Sequence, residues 1–346
     1  PLDMSADPDG VASLRAERAR SSFNSDELEA ELRGGADAVA SRRALLTQLQ
    51  ADPVLGAGRL DDAFLSREQK FEVRLERAAR VRAVHLRGAD ASRLRTYDSL
   101  RLQREGGVLE KAGGFALHIG MFMPTIELLG TEEQAREWLP LARTCAILGT
   151  YAQSELGHGT NLARLETTAT FDPASDAFVL HSPTVTSTKW WPGGLGKTST
   201  HAVVMANLQL GGQWRGQHAF LVQLRDLRTH APLTGVELGD IGPKMGYASV
   251  DNGFLRLTHV RVPRAQLLQR HARVGRDGSY TLLSSEPKAV YGTMLVIRTW
   301  WTKPASHCST QPPSPRDTRR SGGRAAQGPS SVSCSTTPRS RRGSSP

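Results

Sequence analysis

The chain has 346 residues, 44 Lys and Arg against 34 Asp and Glu for a net charge of +10, and three cysteines. That length allows two ordinary domains around a substantial core. No run of 18 or more apolar residues is present to span a bilayer, the first residues PLDMSADPDG lack the apolar stretch of a secretory signal, and Cys145, Cys308 and Cys334 show no zinc-type spacing, so composition points to a soluble, intracellular protein without structural metal.

The first segment, residues 1–140, reads as an N-terminal α-helical domain. SLRAERARSSF is followed by Asn24 or Ser25 as an N-cap for DELEAELRG, which stops at Gly34 and Gly35. Ser66 with Gln69 forms a capping box ahead of FEVRLERAARVRAVHL, and Thr131 with Gln134 repeats the device. Between them GFALHIGMFMPTIELLG is apolar almost all round, as an internal helix should be, which makes Met121, Phe122 and Met123 core residues.

After Gly149 the pattern changes to alternating runs, ETTATF, AFVLHSPTV, HAVVMANLQL, HAFLVQL and GFLRLTHVRV, separated by turn clusters such as DPASD and GGQWRG. The expectation is an α+β chain in which the helical domain precedes an antiparallel, barrel-like β-domain over residues 141–275. The strands should end near Pro263, with a charged connector running to Tyr280. MLVIRTWW then starts a further helical domain over residues 276–298. From Thr299 onward there are eight basic residues and one acid, Asp317, so the tail holds +7 of the net charge and the body is nearly balanced. Val332 is the one large aliphatic residue after Thr302, too little apolar surface to offset ordering entropy, and residues 299–346 are expected to be disordered.

Two glycine-rich stretches, GTYAQSELGHGTNL from Gly149 and TKWWPGGLGK from Thr188, are joined by an expected strand pair. Small residues let a planar ligand approach the backbone, hydroxyl and amide groups offer hydrogen bonds, and Trp190 and Trp191 can wall a flat ring. GLGKT at Gly194 lacks the first glycine of a phosphate loop, Trp191 standing there, and GHGTNL fails the dinucleotide pattern at Leu162. His158, His181, His201 and His218 have no metal-ligand spacing and read as surface or strand residues. Taken alone, Ser154 and Gly193 read as turn residues.

Together with GDIGPK and DNGFL, these strings resemble the central region of the peroxisomal acyl-CoA oxidases, and the resemblance runs from about Arg18 to about Arg298. It implies the acyl-CoA dehydrogenase/oxidase type of fold, FAD as cofactor, and conversion of acyl-CoA and O2 to trans-2-enoyl-CoA and H2O2. It implies a peroxisomal location and a homodimer, although GSSP at the C-terminus is no SKL-type address. Ser154 and Gly193 match positions that contact FAD, with Gln153 a neighbouring candidate. The family's catalytic glutamate lies in a C-terminal helical half that has no counterpart here, so neither Glu155 nor Glu166 is assigned as base and no catalytic residue is named. The chain therefore reads as truncated and impaired. Permitted codons of the tail, read two bases later, give strings resembling the missing helices, with the slip near Arg298 or Thr299. The alternative is a non-catalytic remnant of the flavin domain, or an interaction protein with a basic tail.

Overall fold

The computed structural model describes residues 8–55, 64–85, 115–247 and 250–284. The expected helix at MLVIRTWW and the whole basic tail lie outside them. The chain divides into two units, 1–24 with 307–346, and 25–306. In the first, the described element is helix α1 (Pro8–Ala19). All that follows concerns the second.

Helix α2 (Ser25–Arg33) carries Asp26 and Glu27 in its first turn and Arg33 in its last, charges that complement the helix dipole. It ends where Gly34 and Gly35 take positive φ, and α3 (Ala36–Ala51) follows directly. Helix α4 (Arg67–His85) starts at the expected capping box, Ser66 N–H donating to Gln69 Oε1 at 2.9 Å and Gln69 N–H to Ser66 Oγ at 3.2 Å. The Thr131–Gln134 box opens α6 (Glu132–Arg143) in the same way. Before it, a π-helical turn (His118–Phe122) runs into α5 (Met123–Leu129), and Met121, Phe122 and Met123 are buried as the sequence led us to expect. Among the described residues no helix is long and apolar enough to cross a membrane.

The strands begin at Gly149. A six-stranded sheet is organised by the long strand β5 (His201–Leu210). Strand β6 (Gln213–Gln223) pairs antiparallel on one edge, with an irregularity in register between Asn207 and Gln209. The other edge is shared: β1 (Gly149–Ala152) pairs with residues 201–204 and β2 (Thr168–Asp172) with residues 207–209, both parallel to β5. Antiparallel β3 (Ala177–His181) and β9 (Val260–Pro263) extend the sheet beyond β2. A second sheet has the order β4 (Lys189–Trp190), β8 (Gly253–Leu257), β7 (Val236–Asp240). The α+β class is as expected, and the main sheet is mixed because the chain visits the same edge of β5 twice, in the same direction.

HAVVMANLQL reads as a continuous apolar run because both faces of β5 are covered. Ala202, Val204, Ala206 and Leu208 point into the cluster built on Phe171, Phe178, Leu180 and Phe220, whereas Val203 and Met205 point into the cluster of Phe122, Ile126, Leu139 and Tyr151 under the helices. The connector expected after Pro263 is instead ordered structure. A 3-10 turn (Arg264–Gln266) leads to a hairpin of β10 (Ala272–Val274) and β11 (Tyr280–Leu282); Leu267 and Val274 are buried in the first cluster, and Ala272 is buried as well. Three-residue strands, one with Arg273 at its centre and Arg270 and Arg276 on its flanks, carry too short an alternation to register as strands.

Candidate functional site

The double use of the β5 edge creates the site. β1 leaves that edge at Ala152 and β2 rejoins it at Thr168, so residues 153–167 must loop out between two parallel segments. Gln153 is buried at the exit, and its Oε1 accepts from the Tyr151 hydroxyl at 3.3 Å. Burial pushes the Tyr151 phenol well above its ordinary range, so it is a permanent donor and leaves the Gln153 amide nitrogen as the outward end. Ser154 is half-buried. Its carbonyl accepts from Trp190 N–H at 2.9 Å, and its hydroxyl has no partner among the described residues.

Glu155 and Lys189 lie behind this loop, both buried, with Nζ 3.0 Å from Oε1. Burial pushes the Lys189 ammonium down to about 8, with Glu155 acting in the opposite direction. The Glu155 carboxylate also accepts from Glu166 N–H at 2.7 Å, Thr167 N–H at 2.9 Å and the Thr167 hydroxyl at 2.5 Å. Glu166 faces outward, its carboxyl held below its usual range by the hydroxyls of Thr184 and Thr186, with His158 at 3.9 Å.

The second glycine-rich stretch runs alongside. Thr150 Oγ donates to Gly193 O at 2.8 Å, and Trp191 N–H and Gly253 N–H exchange bonds with Gly253 O and Pro192 O. Gln153, Ser154 and Gly193 thus lie on one seam between β1 and residues 189–194. At Gly193 a Cβ would stand 3.2 Å from Leu117 Cδ1 and 3.3 Å from Val250 Cγ1, so close packing against the protein favours a glycine here whether or not a ligand lies alongside. Gly149 is stricter, since a Cβ there would fall 2.2 Å from the Phe122 ring. Of the two tryptophans, Trp190 is half-buried and stacks on Phe254 with centroids 6.2 Å apart, while Trp191 is exposed at φ 88°.

The loop after Gly193 is held from both sides. Asp251 Oδ2 accepts from Lys197 N–H, Thr198 N–H and the Thr198 hydroxyl, each at 2.9 Å. Arg225, buried, donates to the carbonyls of Leu195, Gly196 and Ser199. Two amides of GLGKT, those of Lys197 and Thr198, are thus occupied by a carboxylate of the same chain. The imidazole of His118 joins helix and sheet, Nδ1 accepting from Gly149 N–H at 2.9 Å and Nε2 meeting Ala142 O at 2.9 Å, which places the hydrogen on Nε2. Of the other histidines, His181 stacks on His259 and His218 meets the Tyr280 hydroxyl. Among the described residues there is no group of three or more His, Cys, Asp or Glu suited to a metal ion. Lys189, Arg225 and Asp251 escaped the sequence reading. The signal for Lys189 was a lone cation beside tryptophans in a strand; Arg225 and Asp251 find their partners 26 to 54 residues away and left none.

Fold and site together define a class: a helical region set on a two-faced mixed sheet, whose glycine-rich seam offers an unbonded hydroxyl and an oriented amide beside an aromatic plane. Residues 24–148 match the family described as acyl-coenzyme A oxidase N-terminal. The chain is 43% identical over 297 residues to peroxisomal acyl-coenzyme A oxidase 1 of Arabidopsis thaliana, covering 84% of this chain and 43% of that protein. It is 44% identical over 289 residues to the enzyme of the same name from Bos taurus, covering 83% and 42%. Among solved structures, acyl-CoA oxidase-2 of Caenorhabditis elegans, bound with FAD, ascaroside-CoA and ATP, is 41% identical with a TM-score of 0.77, covering 83% of this chain and 42% of that one. The tomato acyl-CoA oxidase LeACX1 is 42% identical with a TM-score of 0.75, covering 82% and 43%. This chain belongs to the acyl-CoA oxidase family, and it spans less than half the length of these relatives.

Proposed function

We propose that the chain is the flavin-binding portion of an FAD-dependent acyl-CoA oxidase of peroxisomal fatty-acid β-oxidation, with acyl-CoA and O2 as the reactants of the intact enzyme. The observation that carries this reading is the seam itself: in a chain 43% identical to such oxidases, the two glycine-rich stretches lie side by side and present hydrogen-bonding capacity the protein does not use. Those residues fit an isoalloxazine edge, which needs a donor and an acceptor. Ser154 supplies a hydroxyl that serves as either, Gln153 supplies an amide N–H whose orientation Tyr151 sets, and Trp190 supplies a flat apolar neighbour. Gly193 holds the adjoining backbone against Leu117 and Val250. When bound, FAD supplies a two-electron acceptor for the acyl α,β bond and a route for those electrons to O2.

We assign no base for the α-proton among the described residues. Glu155, beside Ser154, is turned inward and committed to four hydrogen bonds, one of them within its ion pair with Lys189. The base is accordingly assigned to the part of the family's length that this chain does not cover. The test is an FAD titration of the purified chain followed by absorbance and flavin fluorescence. Saturable binding is expected, weakened roughly five- to tenfold by Ser154→Ala, the loss of one hydrogen bond. A chain that stays colourless and leaves flavin fluorescence unchanged at every concentration defeats the proposal.

A further inference from the structure

Lys189 is the most completely enclosed cation among the described residues, with none of its surface exposed. Its ammonium has three hydrogens and three acceptors: Gln153 O at 3.3 Å, Glu155 Oε1 at 3.0 Å and Met205 O at 2.7 Å. These sit on two pieces of chain, the first two flanking Ser154 and the third in the middle of β5. Glu155 in turn uses both oxygens, on Lys189, Thr167 and Glu166. A buried ion pair contributes little net stability compared with an apolar pair of the same shape, because desolvation offsets attraction. A fully satisfied polar network does confer rigidity on the segments it joins.

We infer that Lys189 is a positioning residue for the cofactor seam: by binding the backbone before Ser154 and the side chain after it, it fixes where the Ser154 hydroxyl and the Gln153 amide point. Ser154 has its carbonyl tied to Trp190, its neighbours tied to Lys189, and its hydroxyl left without a partner among the described residues. The residue is thus held through its carbonyl and its two neighbours, while its hydroxyl is left for a ligand. Such preorganisation spares a ligand the cost of ordering the loop. The inference rests on the flavin reading of the seam only for the identity of that ligand.

The test uses the full chain carrying Lys189→Met and Glu155→Gln together, which removes both buried charges and keeps an acceptor near Thr167. Thermal unfolding should stay within a few degrees of the parent, since neither charge is left unpaired. Hydrogen exchange at the amides of Glu155 and Leu156, bonded in the parent to His158 O at 3.1 Å and Thr188 O at 2.8 Å, should accelerate by about tenfold or more. FAD affinity should fall by about tenfold, with altered flavin visible circular dichroism. Lys189→Gln with Glu155→Gln, which keeps a donor and an acceptor in place of the two charges, should move the same amides in the same direction by less, and serves if the first double variant does not fold. Unchanged exchange at both amides in either variant overturns the inference, and so does faster exchange with FAD affinity and spectrum unaltered. If the parent takes up no FAD, the flavin reading fails, while the exchange measurement still decides whether Lys189 fixes the loop.

Discussion

The interior of the β-module and the seam above it are both tightly built, yet from opposite materials. Below the sheet, Phe171, Phe178 and Phe220 meet at centroid distances of 5.0–5.1 Å among aliphatic side chains. At the seam the buried groups are Lys189, Glu155, Arg225 and Asp251, each engaged by several partners on other segments. Apolar burial supplies free energy without regard to direction. Hydrogen-bonded charge adds little net stability and specifies direction and distance closely. The comparison teaches that this fold separates the two tasks: the core holds the module together, and the polar network sets the shape of two glycine-rich loops that have few side chains of their own to pack.

The largest effect should come from breaking the core. Phe178→Ala empties a site with no exposed surface and should cost about 3–5 kcal/mol in urea unfolding; a loss under about 1 kcal/mol would show that the cluster is not the source of stability. A pH dependence comes next. His201, buried on β5 against Trp138, has its imidazole pushed down to about 4 by burial. An unfolded chain takes up that proton below about pH 6.5 and the folded one does not until about 4. Stability should therefore fall by about 2–3 kcal/mol from this group as pH drops from 6.5 to 4, and His201→Gln should flatten that slope. His218, also lowered by burial, adds a slope of the same sign.

Smaller effects sharpen the other side. Asp251→Ala strips the acceptor from Lys197 and Thr198 and removes the negative charge facing Arg225, which should cost about 1–3 kcal/mol. If the seam is shape rather than stability, this variant should lose more flavin affinity than Phe178→Ala does under conditions where both are folded. The reverse ranking would erase the distinction. Thr131→Ala, outside both regions, should cost about 1 kcal/mol through loss of the capping box and leave flavin binding unchanged in fluorescence titration.

Local features were legible directly. Ser66 with Gln69 and Thr131 with Gln134 cap helices because both partners are three residues apart, and Gly34 with Gly35 stops α2 where the backbone needs positive φ. Apolar runs after Gly149 became strands, and Met121, Phe122 and Met123 became core. The hairpin of β10 and β11 was not legible, because its inward residues Ala272 and Val274 alternate over three positions only. The packing around Gly193 was not legible either, since Leu117 and Val250 lie more than fifty residues away on either side.

By itself the sequence determined the element types, the capping sites and the pair of glycine-rich strings that mark the family, because each depends on residues within a turn or two of one another or on a string of side chains in order. The tertiary structure alone decided that β1 and β2 share one edge of β5, that Asp251 occupies the Lys197 and Thr198 amides of GLGKT, and that Lys189 stands behind Ser154. Those contacts join positions separated by 16 to 54 residues, and no local spacing records which distant partner a buried charge or a strand edge will find.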